Sequence, residues 1–183
     1  MTIPVGADDS AIRLTIGPGQ AMPAFALADA AGDIVRLKSF KQRRPVLVAL
    51  LHGSSCPQCR DWLATVAHVQ GELTDLRVQP LLVVPDDVEQ LPALQAGTGA
   101  PGVFLSDPAG ETRARFLSGN APSLRTSVVL IAVDQYSACL EAWLANEPGH
   151  LPTMAEVLAT FAFAEQEDCA CGLPAWPNQH DRQ

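Results

Sequence analysis

Apolar residues gather along this chain into short blocks separated by polar, Pro- and Gly-containing breaks, and the spacing inside each block predicts its conformation. Residues 46–51 form an unbroken apolar run between Pro45 and His52-Gly53-Ser54-Ser55, the pattern of a strand covered on both faces. Directly after it, Leu63, Val66, Val69 or Gln70, and Leu73 recur at helical spacing, which predicts a helix over 57–73. Residues 81–84 read as the next buried strand, 88–94 as a short helix and 103–105 as another strand. A longer, β-branched strand is expected over 127–133, and a closing helix over 151–165 with Met154, Val157, Leu158, Phe161 and Ala162 on one face.

Upstream, 25–28 and 34–37 flank the turn-forming Asp29, Ala30, Ala31, Gly32 and Asp33, which reads as a hairpin. Residues 1–22 carry Pro4, Gly6, Gly17, Pro18 and Gly19 with little periodicity. They read as an ordered arm or a short edge hairpin, with regular structure expected from about Phe25. The alternation of strand and helix implies βαβ units around a mainly parallel or mixed sheet. The expected organisation is an N-terminal arm over 1–22, one α/β domain over 23–165 and a cysteine-containing tail over 166–183.

Composition narrows the function classes. At 183 residues the chain suits a single core, and 48% hydrophobic with 17% charged residues is a globular balance. A net charge of -8 has the wrong sign for a nonspecific nucleic-acid or anionic-membrane binder. The basic cluster of Lys38, Lys41, Arg43 and Arg44 reads as a solvated turn. The longest apolar run is far shorter than the roughly 20 residues of a membrane-spanning helix. Asp8 and Asp9 stand where a secretory signal carries basic residues, so a cytoplasmic location is expected.

The five cysteines, Cys56, Cys59, Cys139, Cys169 and Cys171, are an odd number, which favours redox or metal chemistry over a static disulfide framework. In Cys56-Pro57-Gln58-Cys59, Pro57 suits the first helical position and puts Cys56 at the N-cap. Unpaired N–H groups and the helix dipole stabilise a thiolate there, and Cys59, one turn on, can attack a mixed disulfide formed at Cys56.

The resemblance comes from several motifs in order. They are Met22-Pro23-Ala24-Phe25-Ala26-Leu27, the turn from Asp29 to Gly32 followed by Val35-Arg36-Leu37, the strand leading into Cys56-Pro57-Gln58-Cys59, and Ser106-Asp107-Pro108-Ala109-Gly110-Glu111. Together they resemble the redoxin branch of the thioredoxin superfamily, the peroxiredoxin-like alkyl-hydroperoxide-reductase/thiol-specific-antioxidant family, over about residues 17–163. The resemblance implies a thioredoxin-like fold, with a mixed central sheet flanked by helices and an N-terminal hairpin extension. It also implies that Arg125 matches the arginine that peroxiredoxins hold near the reacting sulfur. The chain departs from the pattern at Gly53 and Ala49, where peroxiredoxins have a Thr and a Pro, and Ser54 or Ser55 is the candidate replacement hydroxyl. Thr126 stands where thioredoxins place a cis-proline.

Cys169-Ala170-Cys171 could relay electrons to the first pair, or join it in a four-thiol site for zinc or an iron-sulfur cluster. Cys139 reads as a core or hairpin side chain, His52 as a structural histidine that could also tune Cys56, and Trp62 and Arg60 as rim residues. His68, His150 and His180 share no ligand spacing. The glycines of 97–102 match a dinucleotide-binding pattern only literally, since they precede a strand and do not follow one. The expected activity is thiol-disulfide exchange, with peroxide reduction as a close variant, and with catalytic Cys56, Cys59 and Arg125. The substrates would be protein or small-molecule thiols, disulfides and peroxides, with no bound cofactor or metal. The alternative is a non-enzymatic metal protein using Cys56, Cys59, Cys169 and Cys171.

Overall fold

The computed structural model describes residues 12–119 and 127–170, with side chains through residue 166. Its centre is a seven-stranded mixed sheet. The strands are β2 (Ala26–Asp29), β3 (Ile34–Arg36), β4 (Val46–Leu50), β5 (Gln79–Val84), β6 (Val103–Ser106), β8 (Val128–Val133) and β9 (Cys139–Ala145), in the order β3-β2-β6-β5-β4-β8-β9. The pairs β4/β5 and β5/β6 are parallel, and the other four are antiparallel. A second, two-stranded ladder joins β1 (Arg13–Leu14) to β7 (Leu117–Ser118).

Alternation along β4 explains why the run 46–51 is apolar throughout: all five strand residues are buried, with successive side chains facing opposite cores. Leu47, Ala49 and Leu51 pack with Leu63 and Val66 of α1 (Pro57–His68), Leu73 of α2 (Gln70–Asp75), Leu91 and Leu94 of α3 (Leu91–Thr98), and Val157 and Phe161 of α5 (Met154–Ala170). Val46, Val48 and Leu50 face Ile16, Met22, Phe25 and Leu37, with Phe116 of the one-turn α4 (Arg113–Phe116) and Leu117. Phe25 and Phe116 meet edge to face, centroids 6.3 Å apart.

Several expectations are corrected in detail. The helix expected over 57–73 is interrupted at Val69 (φ -98°, ψ 21°), and the bend re-aims α2 so that Leu73 still reaches the helix-side core. The closing helix runs to Ala170, beyond the expected 165, so the backbone of Cys169 is helical. Strand β9 went unforeseen: a hairpin turn in which Asp134 Oδ1 accepts from the N–H of Tyr136 and Ala138 returns the chain along β8. Regular structure begins well before Phe25, because the arm is part of the second core. Its Ile16 and Met22 are buried, and Gly19 and Gln20 exchange backbone hydrogen bonds with Cys139. Cys139 itself is a buried side chain opening β9, as its surroundings suggested.

Candidate active site

The C-terminal end of β4 lies between a parallel neighbour, β5, and an antiparallel one, β8, a place where the strand connections diverge and leave room above the sheet. The loop 52–56 starts there. Gly53 adopts φ +109°, and a Cβ on it would come within 2.4 Å of the Asp86 carboxylate, so only glycine fits. Asp86, just past β5, accepts from the Ser54 N–H at 2.9 Å and from the Ser54 hydroxyl. Ser54 is therefore a loop anchor with its hydroxyl turned onto a carboxylate, and Ser55 is exposed. Ser54 therefore does not take the place of a hydroxyl held against Cys56.

The loop delivers Cys56 to the N-cap of α1, with Pro57 at the first helical position as its ring geometry dictates. Cys56 is half-buried and Cys59 is 1% exposed. The Cys59 N–H donates to Cys56 Sγ at 3.4 Å, so one of the orphan amides of the helix start points at the outer sulfur. The His52 N–H donates to Cys59 Sγ, also at 3.4 Å, and His52 Nδ1 lies 3.6 Å from Cys56 Sγ. Burial pushes the Cys59 thiol up to about 12, with the neighbouring Cys56 adding to the rise and the His52 amide opposing it. Both are free thiols with their sulfurs within 4.8 Å of each other, close enough to form a bond after a modest rotation.

Beneath the pair lies Arg113, which the sequence reading passed over. Only 7% exposed, its guanidinium donates to the carbonyl of Leu51 at 2.5 Å and to that of Ser127, tying the end of β4 to the residue that opens β8. Burial lowers its pKa, opposed first by the charge of Asp107 and then by Cys59. Asp107 in turn accepts from the N–H groups of Thr112 and Arg113, which explains the Ser-Asp-Pro-Ala-Gly motif as the device that starts α4. A cavity of about 180 Å³ is lined by His52, Pro85, Asp107 and Arg113, and His52 is the residue it shares with the thiol site. One signal was available: Arg113 and Phe116 stand three apart, on one side of a helical turn, so the arginine shares a face with a core residue.

The structure thus brings Cys56, Cys59 and His52 together. Trp62, expected at the rim, is 7% exposed and packs in the helix-side core, because its ring falls on the same face of α1 as Leu63 and Val66. Arg60 is exposed. Arg125, Thr126 and Cys171 lie outside the described residues, as does the side chain of Cys169.

A mixed sheet with a thiol pair at the start of the helix after its central strand defines the thioredoxin-like class of redox folds. Residues 18–143 match the AhpC/TSA family, and the chain belongs to that family. Two Mycobacterium tuberculosis proteins named as candidate peroxiredoxins are 33% identical over 96 residues, which cover 52% of this chain and 59% of theirs. The chain thus matches somewhat over half the length of these curated relatives. Among solved structures, the peroxidoxin BcpB of Mycobacterium tuberculosis superposes with a TM-score of 0.69 at 17% identity, covering 81% of this chain and 97% of that one. A candidate thiol:disulfide interchange protein DsbE from Chlorobium tepidum gives 0.63 at 19% identity, over 82% and 98%. These likenesses establish the fold.

Proposed function

We propose that the chain is a thiol-disulfide oxidoreductase of redoxin type that also accepts peroxide, with Cys56 as nucleophile and Cys59 as resolving thiol. The observation that carries this is the asymmetry of the pair: a half-buried sulfur receiving a helix-start amide, and a buried partner whose thiol is pushed up to about 12. A thiolate at Cys56 attacks one oxygen of a peroxide, the O–O bond breaks, and the leaving oxygen departs as water or an alcohol after taking a proton. Cys59 then displaces hydroxide from the sulfenic acid, its own proton completing a water, and an S–S bond closes between the two. A dithiol or two thiols return the electrons by exchange. With a disulfide substrate the first product is a mixed disulfide, which Cys59 resolves in the same way.

Family membership and the peroxiredoxin names of the relatives support peroxide as an oxidant. The loop at Gly53, with the Ser54 hydroxyl turned onto Asp86, supports disulfide exchange beside peroxide reduction. Arg125 is assigned as an electrostatic aid by its resemblance. The odd cysteine count of the sequence supports a reducing, cytoplasmic setting; no described helix is long and apolar enough to cross a membrane.

The test is peroxide consumption with defined thiol donors, run beside reduction of a model disulfide. Cys56→Ser is expected to abolish both. Cys59→Ser is expected to accumulate a mixed disulfide with the donor. Equal turnover by the two variants would place the chemistry elsewhere.

A further inference from the structure

We propose that His52, Cys56 and Cys59 form a zinc site of Cys₂His type, in which a bound Zn²⁺ holds the reduced dithiol in an unreactive form. One ring nitrogen of His52 and the two sulfurs all lie within 4.8 Å of one another. With Zn–S about 2.3 Å and Zn–N about 2.0–2.1 Å, tetrahedral angles put a sulfur and a nitrogen on one ion about 3.5–3.6 Å apart, and two sulfurs about 3.8 Å apart. The His52 Nδ1 to Cys56 Sγ distance is 3.6 Å. That edge of the tetrahedron is already made, and the Cys59 sulfur needs only a side-chain adjustment.

A second feature is independent of the spacing. Each sulfur receives a backbone amide, Cys56 from Cys59 and Cys59 from His52, and such donors offset the negative charge on metal-bound thiolates. The loop that carries His52 and Cys56 is held in place by Asp86 through Ser54, so the ligands are ordered before an ion arrives. A soft donor set of two thiolates and one imidazole selects zinc over magnesium or calcium, and a three-ligand site leaves the fourth position to water. Binding displaces to solvent whatever proton the two sulfurs still hold. It also occupies the sulfur lone pairs that Cys56 uses for attack, so the zinc form is at rest and the metal-free dithiol is reactive.

The experiment uses the full reduced chain, stripped of metal under anaerobic conditions. Zinc is titrated by competition with a chromophoric chelator, and Cys56 alkylation is followed in parallel, so the readout needs no turnover. One Zn²⁺ per chain and suppressed alkylation of Cys56 are expected. The Cys169→Ser/Cys171→Ser double variant should bind zinc as the wild type does. His52→Ala should lose more than the roughly 10- to 100-fold that removal of an outer partner costs, and His52→Cys should restore binding with a third thiolate. Co²⁺ bound to the wild-type chain should give tetrahedral ligand-field bands and sulfur-to-cobalt charge transfer, which tests the ligand set even where a variant does not fold. Absence of binding, a zinc affinity untouched by His52→Ala, binding lost in the tail variant, or an octahedral cobalt spectrum would each overturn the assignment. Because catalysis is not measured, none of these outcomes bears on the thiol chemistry proposed above.

Discussion

The guanidinium of Arg113 donates to the carbonyl of Leu51 from 62 residues further along the chain, and the same group reaches the carbonyl of Ser127. One buried cation therefore sets the separation of two strand ends directly below the thiols. Replacing it with Met leaves two buried carbonyls without this donor and Asp107 without the opposing charge. Arg113→Met is expected to destabilise the fold by about 2–5 kcal/mol, read as a shift of the urea midpoint. Arg113→Lys keeps the charge but not the fork that reaches both carbonyls, and should recover only part of the loss.

The two thiols should be chemically distinct. With Cys59 1% exposed and pushed up to about 12, and Cys139 buried and pushed up to about 11, iodoacetamide near neutral pH is expected to label Cys56 first among these three. Peptide mapping over a time course checks this. Cys59 and Cys139 should label at the rate of unfolding, and early labelling of Cys59 would reverse the assigned roles.

Stability should fall in alkali. Cys59 and Cys139 both have folded values above the ordinary 9.0, so the unfolded chain gives up these protons first as pH rises. Their stabilising contribution is complete below 9 and is lost progressively as pH climbs from 9 through about 11 for Cys139 and about 12 for Cys59. Urea midpoints of the reduced protein taken across that interval should decline, and Cys59→Ala should show the shallower slope. A flat profile would mean that the buried thiols ionise as freely as in the unfolded chain.

Gly53 should tolerate no side chain. Gly53→Ala places a Cβ against the Asp86 carboxylate in a left-handed conformation and is expected to cost about 1–3 kcal/mol. Gly53→Thr, which installs the residue that peroxiredoxins carry three positions before the reacting cysteine, should be worse in stability and should not raise peroxide turnover. Gain of peroxidase activity in that variant would show that the loop can adopt another path.

The elements that carry the chemistry were legible because their signals are local. An unbroken apolar run marks a strand buried on both faces, and Cys-Pro-x-Cys after it marks a helix start, so β4, the N-cap role of Cys56 and the place of Cys59 one turn later follow from spacing. What stayed hidden depends on distant partners. Strand β9 mixes Glu141 with apolar residues, and most of its positions are only half-buried, so its pattern is weak until β8 is beside it. Arg113 looks like a surface charge until the carbonyls of Leu51 and Ser127 are brought to it. Asp86 looks like part of an acidic turn until Ser54 meets it. The interruption at Val69 keeps the apolar residues in register with the core on both sides, so periodicity gives no sign of it.

The pairing of the N-terminal arm also dictates an order of assembly. Arg13 meets Ser118 across 105 residues, and Gly19 and Gln20 bond to Cys139, which is later still. A ribosome adding about 5–20 residues per second therefore makes the arm several seconds before its partners exist. Until then Ile16 and Met22 meet only part of their core, which Phe116, Leu117, Val129, Ile131 and Cys139 complete later. The other face waits longer still: Leu63 and Val66 of the dithiol helix share their core with Val157 and Phe161 of α5, so the reactive thiols sit on a half-covered sheet until residues beyond 150 exist, after the arm already has its partners.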